Sequence, residues 1–275
     1  LTHIRKRATR KLKKLRGIKS KSSYALTRMI DSLEIQSFKS IVEAKLDLGQ
    51  VNVFIGANGS GKSNLLEAMA LLSAAASGKV DQSTLVWRGA RASGHYKPMF
   101  EGGLDEALTK LVASSGAVLY EVSLSPPKPH RLLPWEYRTE KLLQGGEIMA
   151  ERSVSSLDPQ AGFAALKLAE IDPESQASIA MKAIAGYSIY SPDTPVLHGW
   201  IKDPQEREPI GLGGGRLAEA VSEMLTQKDR SHILHEEFKE CMGWFDAFAA
   251  VPTFGRDMEI KSRELIFIDR FLKRA

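Results

Sequence analysis

A chain of 275 residues with 43% hydrophobic and 26% charged side chains has ordinary globular composition, enough for one large domain or two small ones. Its apolar runs fall short of the roughly 20 residues a membrane-spanning helix needs. Its one cysteine, Cys241, excludes an internal disulfide framework, so a reducing cytoplasm is the expected location and a membrane is not an expected partner. The net charge of +5 is unevenly placed, because residues 1–22 carry ten Lys and Arg side chains and no acid, which leaves the rest at net −5. Such an arm can neutralise nucleic-acid phosphates or stand as a solvated tail. A third reading takes Met29-Ile30-Asp31 as the natural start and residues 1–28 as upstream sequence.

Residues 31–48 predict two strands, Leu33-Glu34-Ile35 and then Ala44, Leu46 and Leu48 alternating with polar neighbours. Gln50-Val51-Asn52-Val53-Phe54-Ile55 is a short apolar run of the kind a buried strand gives. After a glycine-rich stretch, a helix is expected from about Lys62 to Ser77, with Leu65, Met69, Leu72 and Ala76 on one face and Gly78 as its stop. Residues 79–103 read as loop around a short Leu85-Val86-Trp87 strand. Val118, Tyr120, Val122 and Leu124 alternate in a strand that Pro126-Pro127-Lys128-Pro129 ends, and Trp135–Leu143 reads as its antiparallel partner. The remainder turns helical over 160–171, 175–186, 216–228 and 232–250, with proline-rich breaks at 192–195 and 204–209. Met258-Glu259-Ile260 and Leu265-Ile266-Phe267-Ile268 close the chain as strands. The fold class is α/β, with an antiparallel β subdomain and a helical insertion at about 155–250.

Gly56-Ala57-Asn58-Gly59-Ser60-Gly61-Lys62-Ser63 fits the Walker A pattern G-x-x-x-x-G-K-[ST], after an expected strand and before an expected helix. Glycines let consecutive backbone N–H groups face a phosphate with no Cβ in the way, and the following helix points its positive end at the same anion. Lys62 then reaches the β- and γ-phosphates and the Ser63 hydroxyl completes a magnesium shell. The pattern therefore predicts a site for ATP with Mg2+.

Leu33-Glu34-Ile35-Gln36-Ser37-Phe38-Lys39-Ser40-Ile41, followed by Val53 to Ser63 and Asn64-Leu65-Leu66-Glu67-Ala68, resembles the start of RecF/SMC/OLD-like ABC-class ATPases. Asn58 and Asn64 separate this loop from those of GTPases or small-molecule kinases. Asp172-Pro173-Glu174, Tyr187–Tyr190 and Gly214-Gly215-Arg216-Leu217-Ala218 look like elements of bacterial predicted ATPases of the AAA_21 or AAA_15 type, with Arg216 in place of the usual Asn. The resemblance implies a P-loop NTPase fold, an ABC-ATPase-like head over 29–275. It implies a homodimer around two ATP molecules, each capped by the other subunit's signature motif. It links the protein to DNA maintenance or anti-phage defence, with DNA or a nuclease as partner. By the same analogy Asn64, Lys39 and Ser40 join the nucleotide site; read alone, Lys39 and Ser40 are a polar turn between strands.

Hydrolysis also needs an acid for magnesium, a carboxylate to orient water and a group to stabilise the transition state. Leu212-Gly213-Gly214-Gly215-Arg216 resembles the family's signature loop, and Leu265-Ile266-Phe267-Ile268-Asp269 its Walker B strand. They stand much farther apart than the family places them, and Arg270 occupies the position of the catalytic glutamate, so no catalytic residue is assigned. The expectation is a member truncated before its signature and Walker B motifs, with turnover lost or slow and an apolar sheet edge exposed. Two rivals stand beside the ATPase: a nucleotide-sensing, non-hydrolysing dimerisation module, and a P-loop kinase, whose arginine-rich lid is not evident. His232, His235 and Glu236 have a spacing that could hold a metal, though such residues are more often a solvated helix face. Cys241 reads as a core thiol and Trp87, Trp135, Trp200 and Trp244 as packing residues. No nuclease-like acidic cluster is recognisable.

Overall fold

The computed structural model describes residues 30–91, 108–127, 135–153, 158–166, 172–254, 260–269 and 271, so the basic arm at 1–28 lies outside the described residues. Six strands, β1 (Ser32–Phe38), β2 (Ile41–Asp47), β3 (Thr109–Ser115), β4 (Val118–Ser125), β5 (Glu136–Gln144) and β6 (Glu147–Ser153), form one antiparallel sheet in the order β2-β1-β3-β4-β5-β6. Alternation makes one face apolar. Leu33 and Ile35 of β1, Leu111 and Ala113 of β3, Tyr120, Val122 and Leu124 of β4, and Tyr137 and Leu142 of β5 are all buried. The register sets Ile35 opposite Leu111 and Leu111 opposite Val122, so the buried side chains form continuous rows across the strands.

Helix α1 (Lys62–Ala76) shares its core with this face, and Ala68 and every residue from Ala70 to Ala76 are buried. A helix buried around its whole circumference needs cover beyond a sheet. That cover is α4 (Gln176–Ala185), which packs on α1, β4 and β5 through Ala177, Ala180 and Ile184. The small alanines on both helices allow close approach. Tyr137 of β5 donates its hydroxyl to the Ala75 carbonyl at 2.9 Å, fixing α1 to the sheet.

Several elements differ from their expected form. Leu85-Val86-Trp87 belongs to a helix, α2 (Gln82–Trp87), because Asp81 and Thr84 form a reciprocal capping box: the Thr84 N–H donates to Asp81 Oδ1 at 2.8 Å and the Asp81 N–H to Thr84 Oγ1 at 2.9 Å. The helix expected over 160–171 is described only as the single turn α3 (Phe163–Leu166), and 167–171 lie outside the described residues. A second short turn, α5 (Thr194–Leu197), begins on Pro195. Helix α6 (Leu217–Thr226) is followed by α7 (Lys228–Cys241), and there the helical expectation fails: β7 (Phe245–Phe254) pairs with β8 (Ile260–Asp269) as a separate antiparallel hairpin. Phe245, Phe248 and Val221 bury a second cluster there, with Leu217, Leu234, Phe238 and Phe267 packed against it. The alanines at 247, 249 and 250 suited a helix locally, and tertiary burial of the phenylalanines overrides that preference.

Glu140 is buried on the apolar face of β5, 1% exposed, and accepts hydrogen bonds from the Tyr120 hydroxyl at 2.7 Å and the Phe163 N–H at 2.8 Å. Burial pushes its carboxyl up to about 7 from the ordinary 4.5, against the pull of those two bonds and of Arg152. The folded chain therefore keeps this proton where the unfolded chain has lost it. The stabilisation is complete below about pH 4.5 and is lost as pH rises through about 7, a change of roughly 3 kcal/mol. Urea denaturation of wild type and Glu140→Gln checks this. The wild type should lose about 2–3 kcal/mol relative to the variant between pH 4.5 and pH 8, and a constant difference between the two would refute it.

Candidate nucleotide-binding site

Gly56–Ser63 leads directly into α1, whose second half is fixed in the core. Gly61 is the residue before the helix and adopts a left-handed φ of 88°; Gly59 does the same at 82°. The Ser60 N–H donates to the Ala57 carbonyl at 3.2 Å, closing the turn around Asn58 and Gly59. Helical hydrogen bonding begins with the Leu65 N–H on the Gly61 carbonyl, and no acidic residue stands in the first turn to compete for its free amides. Lys62 arches back over the loop, donating Nζ to the carbonyls of Gly56 at 2.8 Å and Ala57 at 2.7 Å. The ammonium group thus lies over the loop, and Ser63 is exposed beside it on the helix.

The β1–β2 turn lies against this loop. The Asn64 side-chain amide donates to Ser40 Oγ at 2.7 Å, and a Cβ on Gly61 would stand 3.2 Å from the same oxygen. Ser40 and Asn64 are therefore brought together against the last glycine of the loop. Lys39 points elsewhere: its ammonium pairs with the buried Glu67 of α1. Glu67 was legible as a position but not as a participant. The available signal was an acid one helical turn before Leu71 in a stripe of buried alanines and leucines, a setting in which a carboxylate must have partners.

The run before the loop contradicts its expected form. Val51, Val53 and Ile55 are 85%, 75% and 90% exposed, and the segment belongs to neither sheet. Both described sheets complete their ladders without it, so no described strand is there to bury it. An apolar run becomes a buried strand only where neighbours cover it.

Away from the loop, Leu212–Arg216 wraps a carboxylate of its own chain. Asp203 Oδ2 accepts the N–H groups of Gly213 at 2.9 Å and Gly215 at 2.8 Å. Asp172-Pro173-Glu174 is a turn into α4, with Asp172 Oδ1 accepting the Glu174 N–H at 2.9 Å. Asp269 ends β8 opposite Phe245, in the hairpin and not in a parallel sheet. His235 stacks on Phe248 at 4.7 Å between ring centres, which makes it a packing residue, and among the described residues no cluster of His, Cys, Asp or Glu could hold a metal ion. Cys241, expected in the core, is exposed at the end of α7. Of the tryptophans only Trp135 is buried; Trp87, Trp200 and Trp244 are exposed. Polar helix faces and turn positions carry them outward, which scattered spacing does not reveal.

Residues 29–110, from the first strand through the phosphate loop to β3, match the AAA ATPase domain family (AAA_15). The match supports an AAA-type P-loop ATPase, a class that binds nucleotide, on a mixed α/β chain whose described sheets are antiparallel. Uncharacterized protein MJECL10 of Methanocaldococcus jannaschii is 42% identical over 67 residues, which is 22% of this chain and 31% of that protein. The similarity thus spans less than a third of the curated relative's length. Among the described residues no helix is long and apolar enough to cross a membrane.

The two left-handed glycines differ in surroundings, which gives a test of the loop. Gly59→Ala meets nothing within 4 Å and should cost only the backbone penalty, about 1 kcal/mol. Gly61→Ala adds a close approach to Ser40 and should cost more, about 2 kcal/mol. Equal losses in denaturant melts of the two variants would show that Ser40 does not stand over Gly61.

Proposed function

We propose that this chain binds ATP with magnesium through Gly56–Ser63 and forms part of a RecF/SMC/OLD-like ATPase head. The observation that carries the reading is the loop itself: left-handed Gly59 and Gly61, then the open N-terminal amides of a helix whose far half is buried. Lys62 exchanges the Gly56 and Ala57 carbonyls for the β- and γ-phosphate oxygens, Ser63 serves the magnesium ion, and Asn58, Asn64 and Ser40 line the approach. Magnesium supplies charge neutralisation between the phosphates; the chain supplies the cradle.

Turnover on this reading needs a water-orienting carboxylate and a cap over the γ-phosphate, and neither comes from Leu212–Arg216, which encloses Asp203, or from Asp269, which closes a hairpin. We assign neither role to these two motifs. Dimerisation across the nucleotide and a role on DNA, in maintenance or defence, follow by analogy with the same family.

Titration with a fluorescent ATP analogue in the presence of magnesium tests the binding claim. Wild type should saturate, Lys62→Ala should weaken binding at least 100-fold, and Ser63→Ala should remove the magnesium dependence of the affinity. A Lys62→Ala variant that binds as well as wild type would end the proposal. Phosphate release by the bound chain should stay at background, and steady turnover would move the assignment from a nucleotide-binding module to an ATPase.

A further inference from the structure

Glu67 stands five residues after Lys62, 4% exposed, with Leu71 and Ala74 continuing its face of α1. Each carboxylate oxygen takes a different cation. Lys39 Nζ donates to Oε2, and Arg91 donates Nε to Oε1 at 2.6 Å with its backbone N–H 3.4 Å from the same oxygen. Burial alone would push this carboxyl up, but the hydrogen bonds and charges of Arg91 and Lys39 hold it below the ordinary value, so it is ionised. The Lys39 end of the pair is conformationally unusual. Lys39 has φ 50° and Ser37 φ 56°, a left-handed region that residues with a Cβ occupy only when surrounding contacts hold them there. That turn sends the Lys39 side chain inward to Glu67 while the next residue, Ser40, faces Asn64 and Gly61.

We infer that Glu67 is a positioning residue for the nucleotide site. Its ion pair with Lys39 clamps the β1–β2 turn in the left-handed form that places Ser40 against Asn64 and the last glycine of the phosphate loop. The chain of contact runs Glu67, Lys39, Ser40, then Asn64 and Gly61, and it reaches the loop from beneath without Glu67 touching a phosphate. Arg91 ties the segment after α2 to the same carboxylate, so that segment and the loop share one anchor. A buried ion pair of purely structural value would change folding stability and leave the Ser40 contact as it is.

This inference rests on the ATP-binding reading, and a double-mutant cycle separates the two. The affinity for magnesium and the fluorescent ATP analogue is measured for wild type, Ser40→Ala, Glu67→Gln and the double variant, with the melting temperature of each. Ser40→Ala should weaken binding about tenfold in the wild-type background and have no further effect once Glu67 is Gln. Glu67→Gln that lowers the melting temperature but binds like wild type overturns the inference, as does a double variant whose loss is the product of the single losses. Should Glu67→Gln fail to fold, Lys39→Gln breaks the same pair from the turn. Ser40→Ala silent in that background supports the clamp, and a full Ser40→Ala effect there refutes it. A wild type that binds no ATP analogue would instead remove the nucleotide reading itself, and the clamp's function with it.

Discussion

Ser73 lies fully buried near the C-terminal end of α1 and donates its hydroxyl to the Ala185 carbonyl at 2.8 Å, while Arg88 donates Nε to the same hydroxyl at 2.7 Å. The other guanidinium nitrogens of Arg88 reach Ser77 Oγ at 2.6 Å and the Thr84 carbonyl at 3.1 Å. A guanidinium at this depth costs desolvation, which lowers its pKa, and it is tolerated because the Thr84 and Ser73 carbonyls and the Ser73 and Ser77 hydroxyls accept its hydrogen bonds. The consequence is that α1, α2 and the C-terminal end of α4 are tied into one piece. A phosphate site made of backbone amides has affinity only to the degree that its amides already point the right way. The rigidity of the far end of α1 is therefore what gives its N-terminus chemical meaning.

A second tie extends that piece. Arg207 donates to the carbonyls of Trp87, Ile189 and Ile210 and lies 4.5 Å over the Tyr190 ring, so the loop between α5 and α6 is fastened to α2 and to the 187–190 strip. Asp203 organises the same loop by accepting the Gln205, Gly213 and Gly215 N–H groups. A Cβ on Gly215 would stand 2.7 Å from that of Asp203, so glycine is required for the backbone to close around the carboxylate. Glycine richness at 211–215 thus answers to an internal anion. The likeness of Leu212–Arg216 to a nucleotide-capping signature comes from the same physics, backbone amides gathered around negative charge, applied to a different target.

What was legible in the sequence divides along the range of the interactions responsible. The phosphate loop, β1, β2, β4, β5 and the extent of α1 follow from local rules, because glycine spacing and residue alternation act within a few positions. The errors lie where a local rule met a distant partner. Leu85-Val86-Trp87 has β-forming side chains, yet Asp81 and Thr84 start a helix there. Residues 245–250 look helical until Phe245 and Phe248 find Phe238 and Phe267. β3 escaped notice because Lys110, Ala113 and Ser114 dilute its alternation, and β6 because an outer strand rich in Glu and Arg carries little apolar signal. Glu67 escaped notice as a site residue for a related reason, since its two partners lie 28 and 24 residues away in the chain.

The phosphate loop is supported unequally on its two sides. Its C-terminal side is anchored by α1, by Ser40 through Asn64, and through Glu67 by the whole β1–β2 turn. Its N-terminal side arrives from Val51–Ile55, which lies outside both ladders with its valines and isoleucine in solvent. Lys62 bridges the halves by holding the Gly56 and Ala57 carbonyls, which are contacts a triphosphate must displace to claim the ammonium group. Displacement costs least when the segment before the loop is fixed independently, because Gly56 and Ala57 then keep their places after Lys62 leaves them. Pairing of residues 51–55 with neighbouring strands would cover three large apolar side chains and supply that independence at once. On the ATP-binding reading, the affinity of this loop for nucleotide is therefore coupled to whatever covers the segment that leads into it, and α1 by itself secures only half of the site.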